Sequence, residues 1–107
     1  MVNRNMRVMV FFDLPVTTKR QKRNYSAFHR YLVRDGYQMI QYSVYSRITR
    51  NHDDANKYVK RLQANLPPEG SVRVMVVTEK QYNSMKVLVG NITATESFLS
   101  PRELIEV

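Results

Sequence analysis

Between Met6 and Phe12 the chain is apolar on both sides of its backbone, with Arg7 as the one charge. A strand without polar alternation belongs in the middle of a sheet. Asp13-Leu14-Pro15 then reads as a turn. Thr18, with Gln21 three residues later, is spaced for a capping box, which predicts a helix over Lys19–Asp35. At about 100° per residue, Tyr25, Phe28 and Leu32 share one face of that helix. Lys19, Arg23, Arg30 and Arg34 fall almost opposite, on the face left to solvent. Gly36 follows as a natural helix stop.

Tyr37 to Thr49 is rich in Tyr, Ile, Val and Ser and reads as β. It is long for one strand, so a break is expected near Gln41-Tyr42. Asn51–Leu66 carries a second amphipathic pattern, with Ala55, Tyr58, Val59, Leu62 and Leu66 as its stripe. Asn51, Asp53 or Asp54 caps it and Pro67-Pro68 ends it. Val72–Val77 repeats the character of the first strand. Glu79–Ser84 is a turn or short helix. Met85–Val89 is expected to be one more short strand, ended by Gly90. The tail from Asn91 is polar and then acidic, with Phe98, Leu99, Leu104 and Ile105 as isolated apolar anchors. It is expected to pack on a dimer mate or partner.

The order β-α-β-β-α-β with an extra C-terminal strand is the ferredoxin-like α+β pattern. Its helices would cover one sheet face. The other stays apolar enough to need a partner, which argues for a homodimer through the sheets. The 107 residues suit a single domain over 1–107.

Charge narrows the function. The chain has 17 Lys and Arg against 9 Asp and Glu, a formal net charge of +8. Residues 1–61 hold 13 of the bases and four of the acids, so the excess belongs to the first half. Between residues 14 and 52 the single acid is Asp35. Lys19, Arg20, Lys22, Arg23, Arg30 and Arg34 gather on the first helix, with Arg47, Arg50, Lys57, Lys60 and Arg61 adding to them. Such a field attracts polyanions, and point charges with forked donors contact phosphates without reading sequence. Having no cysteine, the chain has no disulfide, thiolate zinc site or thiol nucleophile, which fits a cytoplasmic protein. No stretch approaches the roughly 18 apolar residues of a membrane span. His29 reads as a surface residue on the helix flank, and His52 sits in a turn. Tyr37, Tyr42 and Tyr45 have faces suited to stacking bases, although strand tyrosines are usually core or interface residues. Asp13, at the end of an apolar strand, suits a hard cation such as Mg2+ if water and phosphate complete its shell. From position alone a turn-forming Asp is the simpler reading.

An apolar strand, Asp13-Leu14-Pro15, Arg20 seven residues after the Asp, a helix ending at Gly36 and then Gln41-Tyr42-Ser43-Val44-Tyr45 together resemble the small CRISPR-associated protein that partners the CRISPR integrase. Members are known in general terms as CRISPR-associated endoribonucleases. The resemblance implies a ferredoxin-like homodimer in which two copies of Asp13 hold a catalytic Mg2+ for cleavage of RNA or DNA. It also implies that the dimer bridges integrase dimers with a short DNA duplex across it. Arg20 and Arg34 would face phosphate. Phe12 stands where many members have Tyr, so a hydroxyl is absent there. Ser43 and Tyr45 would lie near the Asp. An RNA-binding module of the same fold without catalysis is the competing reading, but Tyr42-Ser43-Val44-Tyr45-Ser46 lacks its glycine and Phe-Val signature.

Overall fold

The computed structural model describes residues 4–89. Four strands form one antiparallel sheet: β1 (Met6–Asp13), β2 (Gln38–Gln41), β3 (Val44–Thr49) and β4 (Ser71–Thr78), in the order β2-β3-β1-β4. Between them lie helices α1 (Lys19–Arg34) and α2 (His52–Gln63), and α3 (Glu79–Asn83) follows β4. This is the ferredoxin-like α+β arrangement expected from the sequence. β1 is central because it carries apolar residues on both faces. It pairs with β3 from Met6↔Thr49 to Phe11↔Val44 and with β4 from Met6↔Thr78 to Asp13↔Ser71.

The alternation of β1 divides the sheet. Val8, Val10 and Phe12 are buried against the helices, together with Phe28, Leu32, Tyr45, Ala55 and Leu62. Full burial of an aliphatic or aromatic side chain contributes about 1.5–3 kcal/mol, so this cluster is the main stabilising element. Met9 and Phe11 point the other way. With Val44, Met75 and Val77 they line a shallow groove of about 400 Å³ on the face that α1 and α2 leave uncovered. Gln81 and Tyr82 of α3, and Met85, line it too.

Most local signals read from the sequence hold, but α2 stops at Gln63, so Leu66 is exposed and lies outside its apolar stripe, and Pro67-Pro68 follows only after a turn. Thr18 caps α1 reciprocally with Gln21. Gly36 ends it at φ +90, a conformation that favours glycine. Asn51 caps α2, its side chain accepting from the Asp54 N–H at 2.8 Å. The β2–β3 break falls at Tyr42-Ser43, where Ser43 has φ +66.

One expected element is absent. Met85–Val89 forms no strand, and Leu88 and Val89 are exposed. A strand exists through its ladder partner, and β-rich composition does not supply one. Here Thr78 and Gln81 cap a helical turn directly after β4, and Met85–Val89 pairs with no strand. The tail expected to pack on a partner lies outside the described residues.

Candidate nucleic-acid interface

The basic face is built by α1. Phe28 and Leu32 anchor one side of the helix in the core, which turns the opposite side to water. Lys19, Arg20, Lys22, Arg23, Arg30 and Arg34 are all exposed. Among the described residues none of them forms an ion pair. The first turn holds no acid, so Lys19, Arg20 and Lys22 sit at the positive end of the helix dipole. Like charge there opposes helix stability by about 0.3–1 kcal/mol per group. The arrangement suits an external anion better than it suits the helix.

Other bases read as part of the same surface serve the fold instead. Arg47 donates to the Asp35 carbonyl at 2.8 Å, to the Ile48 carbonyl at 2.7 Å and to the Tyr58 hydroxyl. Its guanidinium lies 3.8 Å from the centre of the Tyr58 ring. Arg61 is paired with the buried Asp35 carboxylate, which also accepts from the Tyr31 hydroxyl at 3.2 Å. Arg50 pairs loosely with Asp54 at 3.6 Å. A hydrogen bond from the Arg50 backbone N–H is the main reason the Asp54 carboxyl lies below the usual range. Lys57 and Lys60 remain exposed on α2.

Asp13 ends β1 with its side chain exposed. Pleat alternation from the buried Phe12 puts it on the groove side of the sheet, with Met9 and Phe11. Among the described residues its carboxylate makes no hydrogen bond or ion pair. Gly70 lets the loop before β4 close on this end. A Cβ there would stand 2.7 Å from the Asp13 carbonyl oxygen and 2.7 Å from Leu14 Cδ2. The carboxylate has the oxygen-donor chemistry a hard cation takes. One chain supplies it alone, however, for no three His, Cys, Asp or Glu side chains cluster among the described residues.

The three residues expected beside Asp13 divide. Phe12 is buried on the helix side, edge-on to Phe28 at 5.2 Å and stacked with Tyr45 at 5.6 Å. Both rings belong to the core, on the sheet face opposite the one alternation gives Asp13. Ser43 is next to the strand end, its carbonyl accepting from the Phe12 N–H at 3.0 Å. His29 is half-buried, its Nδ1 2.6 Å from the Tyr45 hydroxyl, where a plain surface residue was expected. Burial is also the main reason the Tyr45 hydroxyl is raised above its ordinary range.

The family model for CRISPR associated protein Cas2 matches residues 6–85. The chain belongs to the Cas2 family. That match spans every element from β1 to α3, and the resemblance drawn from Asp13-Leu14-Pro15 and Gln41 to Tyr45 is borne out. A CRISPR-associated endoribonuclease Cas2 of Acidovorax ebreus is 61% identical over 85 residues, which are 79% of this chain and 83% of that relative. Cas2 proteins of the same description from Treponema denticola and Ligilactobacillus salivarius are 49% and 45% identical over 85 residues, in each case 79% of this chain and 84% of the relative. Cas2 membership makes the chain a CRISPR-associated protein. No helix among its described residues is long and apolar enough to cross a membrane.

Proposed function

We propose that this Cas2-family chain is a nucleic-acid-binding homodimer of CRISPR adaptation that bridges integrase dimers and hydrolyses phosphodiesters with paired Asp13 carboxylates. The observation that carries the reading is the α1 surface, where six exposed bases find no ion-pair partner among the described residues. The relatives' name, CRISPR-associated endoribonuclease, supports RNA as a substrate.

The dimer follows from the groove. Met9, Phe11, Val44 and Met75 form an apolar face that α1 and α2 leave uncovered, with α3 at its margin, and a second copy would cover it by two-fold symmetry. Asp13 shares that side of the sheet, so such pairing would bring two carboxylates toward one another. Two acids in one site repel, which makes them a receptive place for a cation. A divalent ion such as Mg2+ bound there supplies Lewis-acid polarisation of a phosphate. The remaining work is the protein's own. The α1 bases attract and hold phosphates away from the scissile bond, on the helix side of the sheet. Water attacks phosphorus and releases a proton to solvent as the bond to the leaving sugar oxygen breaks. Duplex DNA needs only the first part of this apparatus, the basic face, so binding and bridging do not depend on cleavage.

The test is cleavage of RNA and of duplex DNA with and without Mg2+, run beside Asp13→Ala. Metal-dependent cleavage lost in the variant, with duplex affinity retained, is the expected result. Cleavage equal in both proteins, or absent from both, would remove Asp13 from catalysis and leave a binding scaffold.

A further inference from the structure

The β2–β3 turn presents an aromatic ring whose placement the core does not explain. Tyr42 is 72% exposed. Its ring nevertheless has a fixed plane, stacked on Tyr25 of α1 with centroids 6.3 Å apart and an interplanar angle of 19°. Tyr25 in turn meets Phe12 edge-on at 6.1 Å, so the rings form a column from the core to solvent. Ser43 holds the turn in a left-handed conformation, and the 3.0 Å bond from the Phe12 N–H to its carbonyl ties that turn to the strand end one residue before Asp13. On α1, Lys22 is three residues before Tyr25 and thus its surface neighbour. It is exposed. A flat ring and a cation therefore stand together at the end of the sheet where β1 finishes.

We infer that Tyr42, stacked on Tyr25, is a platform for an unpaired nucleobase, which holds single-stranded nucleic acid at the end of the sheet where β1 finishes. Base–aromatic stacking tolerates any sequence, because every base has a π-face. In a duplex both faces of each interior base are already stacked, so apart from its two ends a duplex offers the platform nothing. Tyr25 supplies the rigidity: a ring already held in plane loses little freedom when a base is added. Burial, and then the Tyr42 hydroxyl beside it, push the Tyr25 hydroxyl up to about 12. It is therefore neutral near pH 7 and brings no negative charge toward the phosphates. The backbone of a stacked nucleotide passes Lys22 on its way to the strand end. This rests on the proposed nucleic-acid function, and it separates two ligand modes: duplex on the α1 face, unpaired strand at the turn.

The experiment compares the intact wild-type chain with Tyr42→Ala and Tyr42→Phe. Affinities are read by fluorescence anisotropy for single-stranded RNA, single-stranded DNA of the same sequence and blunt duplex DNA, in EDTA so that nothing is cleaved. A 2-aminopurine in each single strand reports stacking by its quenching. The expected result is a roughly tenfold weaker single-strand affinity and lost quenching for Tyr42→Ala, with Tyr42→Phe close to wild type and duplex affinity unchanged in both. A loss in either single-strand arm supports the platform, and the arm that shows it names the sugar of the strand. Wild-type single-strand affinity in Tyr42→Ala, with duplex binding intact, would overturn the platform and leave the α1 reading standing. Failure of the wild-type protein to bind any of the three would overturn both.

Discussion

If the α1 bases meet phosphates, replacing them changes how binding responds to salt before it changes anything else. The clearest perturbation is Arg23, Arg30 and Arg34 to Ala together. These side chains are exposed, lie within one stripe and make no ion pair among the described residues, so the fold loses little with them. Each phosphate contact on B-DNA contributes a slope of about −0.9 to log K against log salt concentration. Three lost contacts should therefore flatten the slope by about 2.7 per protomer. For the contacts of one protomer, a fourfold rise in salt should cost wild type about fortyfold more affinity than the variant. Anisotropy with a labelled duplex at four or five salt concentrations measures this, with circular dichroism as the check on folding. Equal slopes for the two proteins would show that the stripe does not face phosphate, whatever happens to affinity at one salt concentration.

Arg61→Ala should cost about 2–4 kcal/mol in urea unfolding, because it strips the cation from a carboxylate whose side chain is 6% exposed. Lys57→Ala on the same helix should cost under about 0.5 kcal/mol, and equal costs would contradict the assigned role of Asp35. Tyr31 is raised to about 12, mainly by burial and then by Asp35, Tyr25 also to about 12, and Tyr37 and Tyr45 lie above their ordinary value of 10.0. The unfolded chain therefore ionises first, so stability should be full below about pH 10 and fall as pH climbs toward 12. A flat unfolding midpoint across that window would mean that these hydroxyls are as wet in the folded state as in the unfolded one. Asp13→Ala, whose carboxylate bonds to nothing among the described residues, should melt as wild type does, and a lower midpoint would make it a structural residue.

What was legible from the sequence was mostly local. The Thr18–Gln21 cap, the faces of α1 and the stop at Gly36 depend on neighbours within one or two turns. The broken strand before Thr49 was legible too, displaced by one residue. Contacts across long separations were not. Arg47 and Arg61 looked like additions to a basic surface, since nothing in their own segments shows that Asp35 waits 12 and 26 residues away. Tyr31 lies between the two stripes of α1 by angle, yet its long side chain reaches the core and stacks on Phe28 at 6.3 Å. His29 likewise owes its hydrogen bond to Tyr45 on a strand. Asp13 was visible as a carboxylate at a strand end, but the face it occupies, which α1 and α2 leave uncovered, is a property of the folded sheet.

The three ion pairs among the described residues shape how the protein meets a ligand. Asp35, Asp54 and Glu79 are each matched by an arginine from outside α1, namely Arg61, Arg50 and Arg7. Pairing leaves the net charge unchanged but removes acids that would otherwise dilute the field of the first helix. Among the described residues α1 then carries the largest group of bases without an ion pair. A one-sided positive surface turns toward a polyanion before the surfaces touch, so collisions arrive already oriented. Ionic strength should act chiefly on how fast complexes form, and far less on how long they last.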